Sequence, residues 1–199
     1  MTTLGIPDWP PIWFLRHGQT EWNLAGRIQG RLDSPLTALG RAQATGQSAL
    51  IADVAARVCA GTGGVYVSPL GRARATAALA LPGCAQIVDA RLAEIDTGAW
   101  EGLRKADLPQ GPDDLATYAA APGGEGLKTL IGRVRAFADD LRGPSIVVAH
   151  GLLGQVLRGL AKGLPPEAMG AQDNRQGCVY HLAGGRECRL DPGADAGAS

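Results

Sequence analysis

Only three histidines occur among 199 residues, and two of them stand in the same kind of place. His17 closes the run Ile12-Trp13-Phe14-Leu15-Arg16-His17-Gly18, and His150 closes Ile146-Val147-Val148-Ala149-His150-Gly151, about 130 residues later. An imidazole that is neutral near pH 7 can attack phosphorus and carry the phosphoryl group as a phosphohistidine. Arg16 and Arg72 add planar guanidinium forks, which suit the oxygens of a phosphoryl group. Taken singly, each residue also fits a plainer role. A strand-end histidine can simply hydrogen-bond a neighbouring layer, and an arginine at a helix start can sit on the surface. The repeated placement favours a shared pocket.

The elements that would hold these side chains follow from the pattern. Both histidines end short apolar runs of the kind that form buried strands, and a glycine terminates each run. Val65-Tyr66-Val67 and Gln86-Ile87-Val88 are two further short strands. Helices are expected from Ala38 to about Cys59 with Thr37 as cap, from Arg72 to Leu81, from Leu127 to Leu141 and from Leu152 to about Ala161, with a small one over Ala116–Ala121. Gly18 to Pro35 reads as a functional loop without helical period. Arg91 to Asp114 reads as irregular, with one helical turn after Trp100. A closing hairpin pairs Gly177–His181 with Glu187–Leu190 around Gly184-Gly185. Strands alternating with helices imply an α/β fold, a three-layer α/β/α sandwich with a mostly parallel central sheet. Open sheets of this type bind ligands beyond the carboxyl ends of their strands. If the strands of His17 and His150 are neighbours, their imidazoles face one pocket. Helix-start amides after Pro69 and Gly151 would add donors for an anion there.

Composition narrows the function classes. Lys plus Arg and Asp plus Glu are both 19, so the formal net charge is +0 and no overall field recruits nucleic acid or an anionic membrane. Any anion site must be local. No stretch reaches membrane-spanning length, and Met1 to Pro11 lacks the pattern of a signal peptide, so a cytoplasmic protein is expected. Cys59, Cys84, Cys178 and Cys188 have no metal-type spacing and are expected to be reduced, with a surface disulfide as the alternative. Residues 1–190 are expected to form one domain, as a monomer or homodimer, and 191–199 a frayed tail.

Five blocks recur in a fixed order. They are Leu15-Arg16-His17-Gly18-Gln19-Thr20-Glu21-Trp22-Asn23, with Gly26-Arg27-Ile28-Gln29-Gly30; Asp33-Ser34-Pro35-Leu36-Thr37; Ser68-Pro69-Leu70-Gly71-Arg72 through Ala77; Leu92-Ala93-Glu94-Ile95 with Gly98-Ala99-Trp100-Glu101-Gly102; and Val147 to Gly151. This order resembles the histidine phosphatase superfamily, in its phosphoglycerate-mutase-like branch, from about Ile12 to Leu160. The resemblance implies that His17 is the phosphorylated nucleophile. It implies that Arg16, Arg72 and His150 surround the phosphate, and that Glu94 gives a proton to the leaving group and later works as base. Asn23 would contact phosphate or substrate, while Arg27 and Gln29 belong to a loop of variable role; apart from the resemblance, Gly151 is a candidate phosphate contact through its helix start. Ser68 and Thr76 fit bracing roles, and His181 a structural one. No cofactor and no metal are implied.

Two departures shape the expected activity. Gly126 replaces the serine that usually follows Gly-Gly-Glu, which leaves Glu125 as a helix-start charge. The segment between Glu94 and Leu127 is short and offers only Arg104 and Lys105, where mutases of the branch carry a longer basic insertion. That favours hydrolysis of a small-molecule phosphomonoester. Mutase-type phosphoryl transfer and a non-enzymatic phospho-ligand-binding module are the alternatives. Trp22, Trp100, Leu103 and Tyr118 could form an apolar rim, or the tryptophans could simply pack.

Overall fold

The computed structural model describes residues 5–193. Six strands form one sheet in the order β3-β2-β4-β1-β5-β6. They are β1 (Ile12–Arg16), β2 (Val65–Val67), β3 (Gln86–Val88), β4 (Ser145–Ala149), β5 (Val179–Ala183) and β6 (Arg186–Leu190). The first four in that spatial order run parallel, and the β5–β6 hairpin adds two antiparallel strands beside β1.

The strand side chains alternate between two cores. Ile12, Phe14, Val147 and Ala149 face one helix layer, made by α5 (Gly126–Asp139) and α6 (Gly151–Ala161). Leu15, Val65, Val67, Ile146 and Val148 face the other, made by α2 (Ala38–Ala60) and α3 (Gly71–Ala80). Burial on both faces is why β1 and β4 read as continuous apolar runs rather than alternating ones. Each fully buried Leu, Val or Phe contributes about 1.5–3 kcal/mol. The strand ends that carry the histidines are therefore anchored in the best-packed part of the molecule. The α/β/α sandwich is as expected.

Several local expectations are corrected. Gly18–Pro35 contains a one-turn helix, α1 (Glu21–Leu24), closed by a capping box in which Thr20 and Asn23 bond each other's backbone amides. Arg91–Asp114 holds three 3₁₀ turns, at Ala90–Leu92, Gly98–Trp100 and Lys105–Asp107, so the turn ends at Trp100 rather than following it. The small helix α4 (Asp114–Ala119) starts earlier than expected because the Asp113 side chain caps it through the Ala116 amide. Pro166–Met169 forms an additional turn, α7. Gly126 sits at φ +73°, a conformation that a serine would adopt only with strain.

The cysteines are also corrected in part. Cys59, at the end of α2, and Cys84, just before β3, form a disulfide. Cys178 is free and buried, and Cys188 is free and exposed. Among the described residues no helix is long and apolar enough to cross a membrane. Of the expected tail, residues 194–199 lie outside the described ones, and Asp191 is paired with Arg189.

Candidate active site

β1 and β4 are adjacent and parallel, with Arg16 opposite Ala149. The ladder continues one step beyond the strands, as the His17 amide donates to the Ala149 carbonyl at 3.0 Å. That register places His17 beside His150, with ring centroids 5.3 Å apart. His17 Nδ1 lies 2.8 Å from the Gly18 carbonyl oxygen. A carbonyl can only accept, so the proton sits on Nδ1 and the lone pair on Nε2. Burial, and then the charges of Arg72 and Arg16, hold the His17 pKa well below 6.5. His17 is therefore neutral, with a free lone pair, at neutral pH.

The turn after His17 is fixed by close backbone contact. A Cβ on Gly18 would lie 2.1 Å from the Gly40 carbonyl oxygen, and one on Gly40 would lie 2.0 Å from that of Gln19. No side chain fits at either position, so the loop rests directly on the first turn of α2. From the other side the Gly18 amide donates to Thr76 Oγ1 at 3.0 Å, and Thr76 donates to the Arg72 carbonyl at 2.8 Å. Thr76 thus ties α3 to the His17 turn.

Both arginines are held from behind. Arg72, 2% exposed, donates to the carbonyls of Leu32 and Gly30 and to Asp33 Oδ1. Those three bonds leave two of its five N–H groups, including a buried Nε–H with no protein partner. Arg16 donates to the Asn174 carbonyl, and its Nε–H is likewise buried and unpartnered. Burial lowers both guanidinium pKa values, with Glu94 opposing the effect in each case. Buried cationic donors without partners are costly, and an anion is the ligand that satisfies them.

His150 is fully buried beside His17. Its pKa is also held well below 6.5, chiefly by burial and then by Arg72. Its Nε2 contacts Ser68 Oγ at 2.6 Å, while Nδ1 is buried without a partner.

Glu94 occupies a place that sequence reasoning had given to an anion. Its carboxylate accepts from the amides of Ile95, Leu152 and Leu153, at 3.0, 3.1 and 3.0 Å. It therefore caps α6, whose own N-cap residue, His150, provides no side-chain cap. Three of about four acceptor positions are filled, and one remains on Oε2 where a proton can sit. The start of α3 is similarly taken, since the Gly71 and Arg72 amides both donate to Asp33. The helix-start amides expected to serve the ligand thus serve carboxylates instead. Behind Glu94, Arg133 donates to the Glu94 carbonyl and pairs with Glu125, which also accepts the Asp96 amide. Glu125 therefore braces the Glu94 segment, in keeping with a structural charge.

These groups open onto a cavity of about 250 Å³ lined by Arg16, His17, Asn23, Arg27, Gln29, Arg72, Glu94 and Gly151, among others. His150, packed against the lining residue His17, is not itself among the lining residues. Of the four expected rim residues only Tyr118 lines the cavity; Trp22, Trp100 and Leu103 do not. At the mouth Arg27 donates to the Gly102 carbonyl at 2.8 Å, and Lys105 pairs with Asp114 at 2.6 Å. Trp13 is partly buried and stacks on His181 at 4.6 Å.

Sequence reasoning missed Asp33 as the partner of Arg72, and it missed the segment from Asn174 to Gln176. Gln176 donates to the His17 carbonyl and to Asn23 Oδ1, which also accepts the Thr20 amide. With two donors on Oδ1, the Asn23 amide NH₂ is left for a ligand. Asp33 stood within a motif block, but no local pattern marks Gln176.

Comparison with known proteins decides the family, because residues 12–189 match the histidine phosphatase superfamily (branch 1). The chain belongs to that superfamily. It is 36% identical over 177 residues to a protein named probable phosphoglycerate mutase from Enterobacter sp. (strain 638), covering 79% of this chain and 77% of the relative. The alpha-ribazole phosphatase from Shigella flexneri has a similar structure, with a TM-score of 0.73 and 28% identity over 95% of this chain and 99% of that one. A structure titled mycobacterial hydrolase 1 gives a TM-score of 0.70 and 30% identity, over 86% of this chain and 91% of that one. Its relatives thus carry both mutase and phosphatase names.

Proposed function

We propose that this chain is a phosphomonoesterase that hydrolyses a small-molecule phosphate ester through a phosphohistidine at His17. The observation that carries this reading is the neutral His17, its lone pair on Nε2, held between two arginines whose buried Nε–H donors have no protein partner. In the first step Nε2 attacks phosphorus, the bond from phosphorus to the ester oxygen breaks, and Glu94 gives that oxygen a proton. In the second step water attacks phosphorus, the phosphorus–nitrogen bond breaks, and the Glu94 carboxylate takes the water proton. Arg16, Arg72 and His150 stabilise charge on the phosphoryl oxygens, and Asn23 adds a donor.

Hydrolysis is supported over transfer by the mouth. Mutase exchange between two anionic positions needs cations beyond the first phosphate. Here Lys105 is neutralised by Asp114, and Arg27 is the remaining cation on the wall. The mutase reading is favoured by the relatives of 31–36% identity that are named as probable phosphoglycerate mutases. Supplying phosphoglycerates together with a panel of sugar, nucleotide and cofactor-precursor phosphates separates the two. Release of free phosphate well above isomer interconversion is expected. Interconversion much faster than release would make the protein a mutase, and tight binding without either would make it a phospho-ligand-binding module.

A further inference from the structure

We propose that Ser68 sets the position of the proton on His150, keeping it on Nδ1 so that the ring donates Nδ1–H to a phosphoryl oxygen. The proposal rests on reading the cavity as a phosphoryl site. Ser68 is fully buried at the end of β2, and its hydroxyl oxygen has two contacts. One is the Leu70 amide, which donates to Oγ at 3.2 Å. The other is His150 Nε2, at 2.6 Å. An amide N–H can only donate, so the hydroxyl proton must go elsewhere. Among the described residues His150 Nε2 is the sole acceptor within hydrogen-bond distance of it.

The opposite arrangement, with Nε2–H donating to Ser68, would leave the hydroxyl proton buried without an acceptor. That carries the desolvation penalty of an unmade buried hydrogen bond. With the hydroxyl donating to Nε2 the fault vanishes, and Nδ1–H becomes the buried donor without a protein partner. That donor joins the two arginine Nε–H groups in demanding an anion. Ser68 is thus a positioning residue acting through His150, beyond bracing the loop before Arg72.

Nuclear magnetic resonance of protein labelled with ¹⁵N-histidine reads the tautomers directly, through long-range proton–nitrogen couplings. Only three imidazoles contribute, and a His181→Asn variant, away from the cavity, removes one set. At neutral pH His150 is expected to be protonated on Nδ1, with Nε2 accepting a hydrogen bond. Ser68→Ala should shift His150 away from that tautomer and lower kcat by about ten- to a hundredfold, with KM little changed. Ser68→Thr, which restores a hydroxyl, should recover both signals. Nε2–H in the unmodified protein, or an unchanged tautomer in Ser68→Ala, would overturn the proposal. The unmodified spectrum decides even if the alanine variant fails to fold. A correct tautomer in a protein that turns over no phosphate ester would sink the functional reading and leave the Ser68 role standing.

Discussion

The floor and the mouth of the cavity are built from different kinds of backbone. The floor is the paired ends of β1 and β4, locked by a parallel ladder and covered by helices on both sides. The mouth is Gly26–Gly30 against the turns from Gly98 to Tyr118, with Lys105 and Asp114 each about half exposed. On the floor His17, Arg72 and His150 are buried, whereas Lys105 and Asp114 at the mouth are joined by one half-exposed ion pair. On the proposed phosphatase reading, bond breaking falls to the floor, where positions are fixed, and choice of ester to the mouth, where change costs the fold little. Glu94 stands where the two meet, since it caps α6 and also borders the cavity.

Changing Glu94 should produce the largest divergence between substrates. Glu94→Gln cannot deliver a carboxylic proton, so turnover of alkyl phosphates should fall by about a hundred- to ten-thousandfold. An aryl ester such as p-nitrophenyl phosphate, whose leaving group needs no proton, should lose far less. The amide NH₂ also faces N–H groups that now donate to a carboxylate, so a small loss of melting temperature should accompany it. Equal losses for both ester types would reduce Glu94 to its capping role.

Arginine substitutions test the division itself. Arg72→Lys keeps the charge but loses the planar fork, and should cost about 2–4 kcal/mol in kcat/KM for every ester. Arg27→Lys at the mouth should cost less, by an amount that varies with the substrate. Matched losses across the panel would erase the distinction between floor and mouth.

The floor was largely legible because its signals are local. An apolar run followed by Arg-His-Gly or His-Gly identifies a buried strand and the side chains at its end, and the β1–β4 register then follows from a parallel sheet. The Glu94 capping bonds were not legible, because they join residues 58 positions apart through backbone amides that every residue possesses. The Gln176 contact with His17 spans 159 positions and depends on where the β5–β6 hairpin docks. The apolar rim failed for a related reason. Trp22, Trp100 and Leu103 lie in short turns whose facing is set by tertiary contact rather than by periodicity.

Acid should weaken the floor before the mouth. His17 and His150 have depressed pKa values, so the unfolded chain binds their protons more readily than the native one. Their contribution is fully present above the ordinary value of 6.5 and is lost as pH falls below it, by up to about 1.4 kcal/mol per pH unit for each group. Melting temperature measured from pH 7.5 to 5 should fall, and less steeply in His150→Asn. A parallel slope in that variant would locate the acid sensitivity elsewhere.

Asp114→Asn should give the smallest effect. It frees Lys105 at a half-exposed position, so kcat/KM for phosphoglycerate should rise by about two- to fivefold relative to esters with an uncharged alcohol. No change in that ratio would remove the ion pair from the account of specificity.

Covalent capture tests the central claim most directly. The protein is mixed with ³²P-labelled ester for milliseconds, denatured in alkali and digested to find the labelled peptide. The account predicts phosphate on His17, released by acid, approaching one per chain when hydrolysis of the intermediate limits turnover. His17→Ala should carry no label and lose about a thousandfold or more in kcat. Full turnover with no protein-bound phosphate, or with His17 replaced, would contradict it.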